Sequence, residues 1–84
     1  MKVIILGSHV KEQARKRGTT EEDIHNVIRE QSWHGVRGGR YEACGDFSFE
    51  REWNKKYYST KQVNPVFVEE NESIIVITVY VFYI

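Results

Sequence analysis

Two polar side chains stand two residues apart in the least polar stretch of the chain. Residues 73–84 read Ser-Ile-Ile-Val-Ile-Thr-Val-Tyr-Val-Phe-Tyr-Ile, without charge, Pro or Gly, and Thr78 and Tyr80 place a hydroxyl and a phenol in the middle. A strand needing only apolar cover gains nothing from them, although Thr forms strands well and Tyr is a common half-buried aromatic. Arg17 is a cation in unusual company. At helical spacing it shares a stripe with Val10 and Ala14, so a guanidinium closes an apolar face. A basic residue near a helix C-terminus is also favoured by the helix dipole alone. Arg37, Arg40 and Arg51 are interleaved with Trp33, Tyr41, Phe47, Phe49 and Trp53. Guanidinium and ring faces both stack on bases, which suits nucleic-acid contact; the bland reading is a Gly-punctuated strand and loop covering a small core. Cys44 has no partner pattern for metal or nucleophilic chemistry, and the three histidines have no zinc spacing.

The elements that must position these groups are legible in outline. Ser8 is a good N-cap, and residues 9–17 read as a helix ended by Gly18 at the position where a left-handed residue is favoured. Thr19 with Glu22 makes a capping box, or Thr20 caps with Asp23, and Ile24, Val27, Ile28 and Gln31 follow at helical spacing, so a second helix covers about 20–31. Lys2 to Leu6 is an edge strand or a packed arm. Residues 57–70 return to strand character, with Asn71-Glu72 as the turn into a strand over 73–83. Alternation puts Ile75, Ile77, Val79 and Val81 on a core-facing side and Val76, Thr78, Tyr80 and Phe82 on the other. A two-residue turn pairs Val68 with Ile75 and Val66 with Ile77 and brings Lys61 to the face of Thr78 and Tyr80, unless Pro65 forces a bulge that reverses the parity.

The 84 residues make one small domain, 40% hydrophobic and 29% charged, which describes a folded chain and not a disordered one. A single cysteine excludes an internal disulfide and fits a reducing cytoplasm. No stretch is long enough for a spanning helix, and the opening residues lack a signal-peptide pattern. The formal net charge of zero is assembled from blocks: +4 over 1–19 and +2 over 33–63, against −3 over 20–32 and −3 over 64–84. Two basic segments can form one basic face if the fold joins them, although the net charge argues against non-specific nucleic-acid binding.

Ser8-His9 opening a helix, Arg17-Gly18 ending it, Thr20-Glu21-Glu22-Asp23-Ile24 opening the next, and Thr78-Val79-Tyr80 on the final strand resemble a group of small bacterial domains. Those domains look related to the RelE and BrnT toxins of the barnase–EndoU–colicin–RelE ribonuclease superfamily. The resemblance implies a single RelE/BrnT-like α+β domain over 1–84: two N-terminal helices packed on a three- to four-stranded antiparallel sheet. It further implies a metal-independent RNA endonuclease without cofactor, restrained by an antitoxin protein. His9, Arg17, Thr78 and Tyr80 become its candidate catalytic residues, with Arg37, Arg40 and Lys61 as candidate RNA-phosphate contacts. The charge departs from the pattern, since ribosome-dependent toxins of this kind tend to be basic.

The chemistry is coherent on those residues. Cleaving RNA without a metal requires a base for the 2′-OH proton, cations for the phosphorane charge and an acid for the 5′-oxygen. His9 is suited to serve as base or acid, Arg17 to a bidentate phosphate clamp, Thr78 to donating to a phosphate oxygen, and Tyr80 to orienting or donating a proton. The competing expectation is a non-catalytic interaction module, toxin–antitoxin related or homodimeric, in which His9 and Arg17 only tie the first helix to the sheet. An open basic cleft at Tyr80 favours the enzyme and a closed one the module. There is a geometric tension: Arg17 shares its stripe with core-facing Val10 and Ala14, whereas Thr78 and Tyr80 point away from the core. Convergence therefore requires the first helix at the sheet's edge. The apolar ending Val81-Phe82-Tyr83-Ile84 predicts a strand that is either central or covered by a second copy or an antitoxin-like partner.

Overall fold

A computed structural model describes residues 2–84. The chain runs β1 (Val3–Leu6), α1 (Ser8–Arg17), α2 (Glu21–Glu30), β2 (His34–Val36), β3 (Arg40–Glu42), β4 (Gly45–Trp53), β5 (Lys56–Glu70) and β6 (Ser73–Tyr83). Gly7, not Ser8, occupies the N-cap of α1 and supplies no side-chain bond. The α2 cap is Thr20, whose hydroxyl accepts from the Asp23 amide at 3.1 Å. Gly18 ends α1 in the left-handed region (φ 82°), and its amide reaches back to the last turn of the helix. No Cβ fits there: one added at Gly18 lies 2.8 Å from the Trp53 ring and against the Tyr83 hydroxyl.

The sheet corrects the expected three- to four-stranded antiparallel, RelE-like arrangement. It has six strands in the order β1-β6-β5-β3-β2, with β4 paired to β5 off that path. It is mixed, because β1 pairs parallel to β6 from Val3↔Ser73 to Leu6↔Val76. The reason lies in two segments. The opening apolar run is a true edge strand whose partner lies at the far end of the sequence. The Gly-rich, aromatic-rich stretch folds into two short strands, one long strand and their turns, with Asn54 and Lys55 both at positive φ in the β4–β5 hairpin.

The β5–β6 hairpin turns at Asn71-Glu72 with Val68 opposite Ile75, and then departs from simple alternation. Val66 pairs with Thr78 but Phe67 with Val76, so Ile77 is an extra residue in β6. A bulge of this kind shifts the register by one and exchanges the faces beyond it. The core-facing residues of β6 are therefore Ile74 and Val76 before the bulge and Val79 and Val81 after it. Ile75 and Ile77, expected inside, belong to the other face. The same shift sets Lys61 opposite Tyr83 and turns it toward the helices, away from Thr78 and Tyr80.

Both helices pack on one face of the sheet. Val10 and Ala14 of α1 and Ile24, Val27 and Ile28 of α2 meet Leu6, Val63, Phe67, Val76 and Val79, all buried. Burial of each large aliphatic or aromatic side chain contributes roughly 1.5–3 kcal/mol before entropy is charged against it. The Trp33 indole closes one end of this core, donating to Ile28 O at 2.8 Å with its ring edge on Phe67 (4.9 Å). A second cluster lies beyond α1. There Tyr83 is surrounded by Phe49, Trp53 and Tyr58 at 5.0, 4.8 and 5.8 Å between ring centres. The molecule is accordingly elongated, 42 × 25 × 24 Å.

Candidate functional site

Because β1 pairs only as far as Val76, the rest of β6 is an edge, and the helix beside it fills the first bare position. His9, Gln13 and Arg17 recur every four residues and share one face of α1. Gln13 Oε1 accepts from the Val79 amide at 3.3 Å, while an Arg17 Nη donates to the Val79 carbonyl. Two side chains thus replace the missing ladder partner of Val79, which satisfies backbone groups that would otherwise be left bare at an edge. Gln13 Oε1 also accepts from the Thr78 hydroxyl at 2.9 Å. The Arg17 guanidinium lies over the Tyr80 ring, 5.8 Å from its centre. Tyr83 Oη donates to Arg17 O at 2.6 Å, taking up one of the carbonyls a helix end leaves open. Burial among the rings pushes the Tyr83 phenol above its ordinary value, against a smaller pull from the Arg51 charge.

Arg17, Thr78 and Tyr80 therefore meet at one sheet edge, with α1 placed where the sequence tension requires it. His9 lies two turns earlier on the same helix face, exposed and without a hydrogen bond or ion pair among the described residues. The candidate phosphate contacts are not gathered there. Arg37 and Arg40 are exposed at the β2–β3 hairpin; Arg40 lies one residue beyond the Tyr41↔Phe67 pair, level with Val68, whereas Tyr80 pairs with Asn64 on the opposite side of β5. That is roughly 13 Å along the strands and roughly 10 Å across them. Lys61 is buried on the helix face, 3.1 Å from Asp23 Oδ2 and 3.1 Å from Gly18 O. Burial works to raise the Asp23 carboxyl, but the hydrogen bonds from Lys61 and Thr19 and the Lys61 charge outweigh it and hold the group below its ordinary value.

Gln13 and Asp23 are the residues that sequence reasoning passes over. The one signal for Gln13 is its position midway between His9 and Arg17. Cys44 is exposed, with its thiol pushed up by partial burial and by Asp46 and Glu42, away from the thiolate that nucleophilic chemistry requires. Among the described residues, no three His, Cys, Asp or Glu side chains come together to hold a metal ion, and no helix is long and apolar enough to cross a membrane.

Three grooves among the described residues lie elsewhere. One of about 310 Å³, floored by Ile4, Ile28, Trp33 and Ile74, sits between α2 and the start of β1 and β6. Others lie between α1 and α2 and beside the start of β4, and none includes His9, Arg17, Thr78 or Tyr80. What Tyr80 does belong to is the sheet face turned away from the helices. Tyr80 and Phe82 of β6 are 45% and 50% exposed, and Val3 and Ile5 of β1 are 63% and 44% exposed. Compared with family models, with curated proteins and with solved structures, the chain matches none.

Proposed function

We propose that this chain is a non-catalytic protein-interaction domain that docks through the open face of its sheet. The observation that carries the reading is the exposure of four large apolar side chains, Val3, Ile5, Tyr80 and Phe82, on the sheet face turned away from the helices. An apolar patch of a few hundred Å² is the scale at which the largest patch on a protein surface is often a functional one. The engagement of the polar groups supports the same reading: Arg17 is bonded to Val79 O, Thr78 to Gln13, and Lys61 to Asp23. Phosphoryl chemistry needs such groups free and converging on one phosphate. A cytoplasmic setting belongs with this reading, because an exposed lone thiol persists in a reducing compartment.

A second reading is favoured by one observation. Arg17 lies against Tyr80, next to Thr78, at an accessible edge, with His9 on the same helix face. This arrangement keeps the metal-independent RNA endonuclease of the RelE/BrnT-related kind, and with it RNA and an antitoxin as partners. One assay separates the two: purified protein incubated with RNA in EDTA, with products resolved on a gel. The interaction reading expects no cleavage above background, and no change in His9→Ala or Tyr80→Phe. Cleavage that falls about 100-fold in either variant overturns it in favour of the endonuclease.

A further inference from the structure

We infer that the occupant of the open sheet face is a second copy of this chain, packed face to face about a two-fold axis. The inference rests on the interaction reading and names its partner.

The register defines the surface. Across the sheet, Ile5, Ile75, Val68 and Arg40 form one row, Thr78, Val66, Glu42 and His34 a second, and Phe82, Gln62 and Asp46 a third. The Gln62 side chain donates to Asp46 at 3.0 Å, which ties that third row to a single face. The apolar side chains occupy the β1–β6 half, extended by half-buried Ile75, Ile77 and Val68. The charged ones rim the β3–β4 half. An apolar centre with a polar rim is the anatomy of a protein interface.

Three considerations select a second copy over an unlike partner. The first is area. Aromatic side chains bury about 150–250 Å² each, so at the observed exposures Tyr80 and Phe82 offer on the order of 200 Å², and Val3 and Ile5 bring the apolar patch to on the order of 400–500 Å². A standard interface takes about 800 Å² from each partner, and homodimer interfaces are about 65% apolar, which asks for the same amount. The second is charge. The rim carries both signs, Arg40 against Glu42 and Asp46, so a two-fold axis can set cation against acid without help from another protein. The whole chain has a formal net charge of zero, so two copies meet without long-range repulsion. The third is shape. A sheet that carries helices on one face and none on the other has the layout of half a sheet-on-sheet packing, whose layers lie about 10 Å apart.

The test is sedimentation equilibrium on the purified chain from low to high micromolar concentration. The expected result is a monomer–dimer equilibrium. Phe82→Asp should weaken it about 100-fold or more, because association then buries an unpaired charge. Ile5→Lys, at the sheet's rim, provides a second probe should Phe82→Asp fold poorly, as judged by circular dichroism. Lys11→Glu, on the exposed side of α1, should leave association within about twofold, as a surface charge remote from the contact does. A monomer at every concentration, or a dimer that neither Phe82→Asp nor Ile5→Lys weakens, overturns the inference. Failure here is distinct from failure of the interaction reading: a monomer that leaves RNA intact removes only the second copy, whereas His9-dependent RNA cleavage removes the reading itself.

Discussion

Lys61 and Asp23 form the most deeply buried ion pair among the described residues, their side chains 10% and 20% exposed. The pair joins the middle of β5 to the first turn of α2, and the bond from Lys61 to Gly18 O adds the end of α1. Removing one partner strands the other, so Lys61→Met should cost about 3 kcal/mol in urea unfolding at neutral pH, while Lys61→Met with Asp23→Leu should recover much of that loss. The pH dependence has a definite sign. The folded carboxyl of Asp23 is held below its unfolded value of about 4, so its contribution is complete above that pH and is lost as pH falls through the lower folded value. The stability difference between wild type and Asp23→Asn should therefore be constant above about pH 5 and shrink toward pH 3. Neither residue announces this role in the sequence. Asp23 reads as one of three acids in a helix start, and simple alternation puts Lys61 on the wrong face, the bulge that reverses the parity being only an alternative offered by Pro65.

At the scale of elements, the readable features are local. Thr20 as a cap, Gly18 as a helix end, and Asn71-Glu72 as a turn that sets Val68 against Ile75 follow from short-range chemistry. The parallel pairing of β1 with β6 is non-local, and nothing within either segment marks it. The bulge is signalled only from across the ladder: Pro65 offers an irregularity in β5 that would reverse the parity, but the extra residue lies in β6, at Ile77, an ordinary strand former among strand formers. The site divides in the same way. That Arg17 must round the sheet edge to reach Tyr80 is apparent from the clash of stripes, whereas a glutamine completing a strand edge has no sequence signature. The helix end gives a paired prediction. Gly18 and Gly38 have nearly equal φ, 82° and 83°, but an added Cβ at Gly38 meets nothing within 4 Å. Gly38→Ala should thus cost about 1 kcal/mol, the backbone term alone. Gly18→Ala should cost about 3 kcal/mol, because Trp53 and the Tyr83 hydroxyl must also move. Chemical denaturation of the two variants side by side provides the comparison.

The molecule as a whole has two apolar centres of unequal size along its 42 Å length, and each contains one of its two tryptophans. Trp33 is set on Phe67 beneath α2, whereas Trp53 lies on Tyr83 at the far end, held by rings and by the end of α1 without a helix above it. A segment with few buried contacts opens before the core does. With Trp33→Phe and Trp53→Phe leaving one reporter each, emission from Trp53 should change at lower urea than emission from Trp33, and coincident transitions would show that the two ends unfold together. Ile77 carries a consequence for how such a strand can vary. The two halves of β6 are written in opposite phase, and the extra residue keeps both in step with the helices. Exchange among Val, Ile and Thr at a single position leaves the phase intact. Loss of one residue from that run, which would barely alter composition or charge, would turn Ile74 and Val76, or Val79 and Val81, inside out. For this strand, length is the constrained quantity and spelling the freer one.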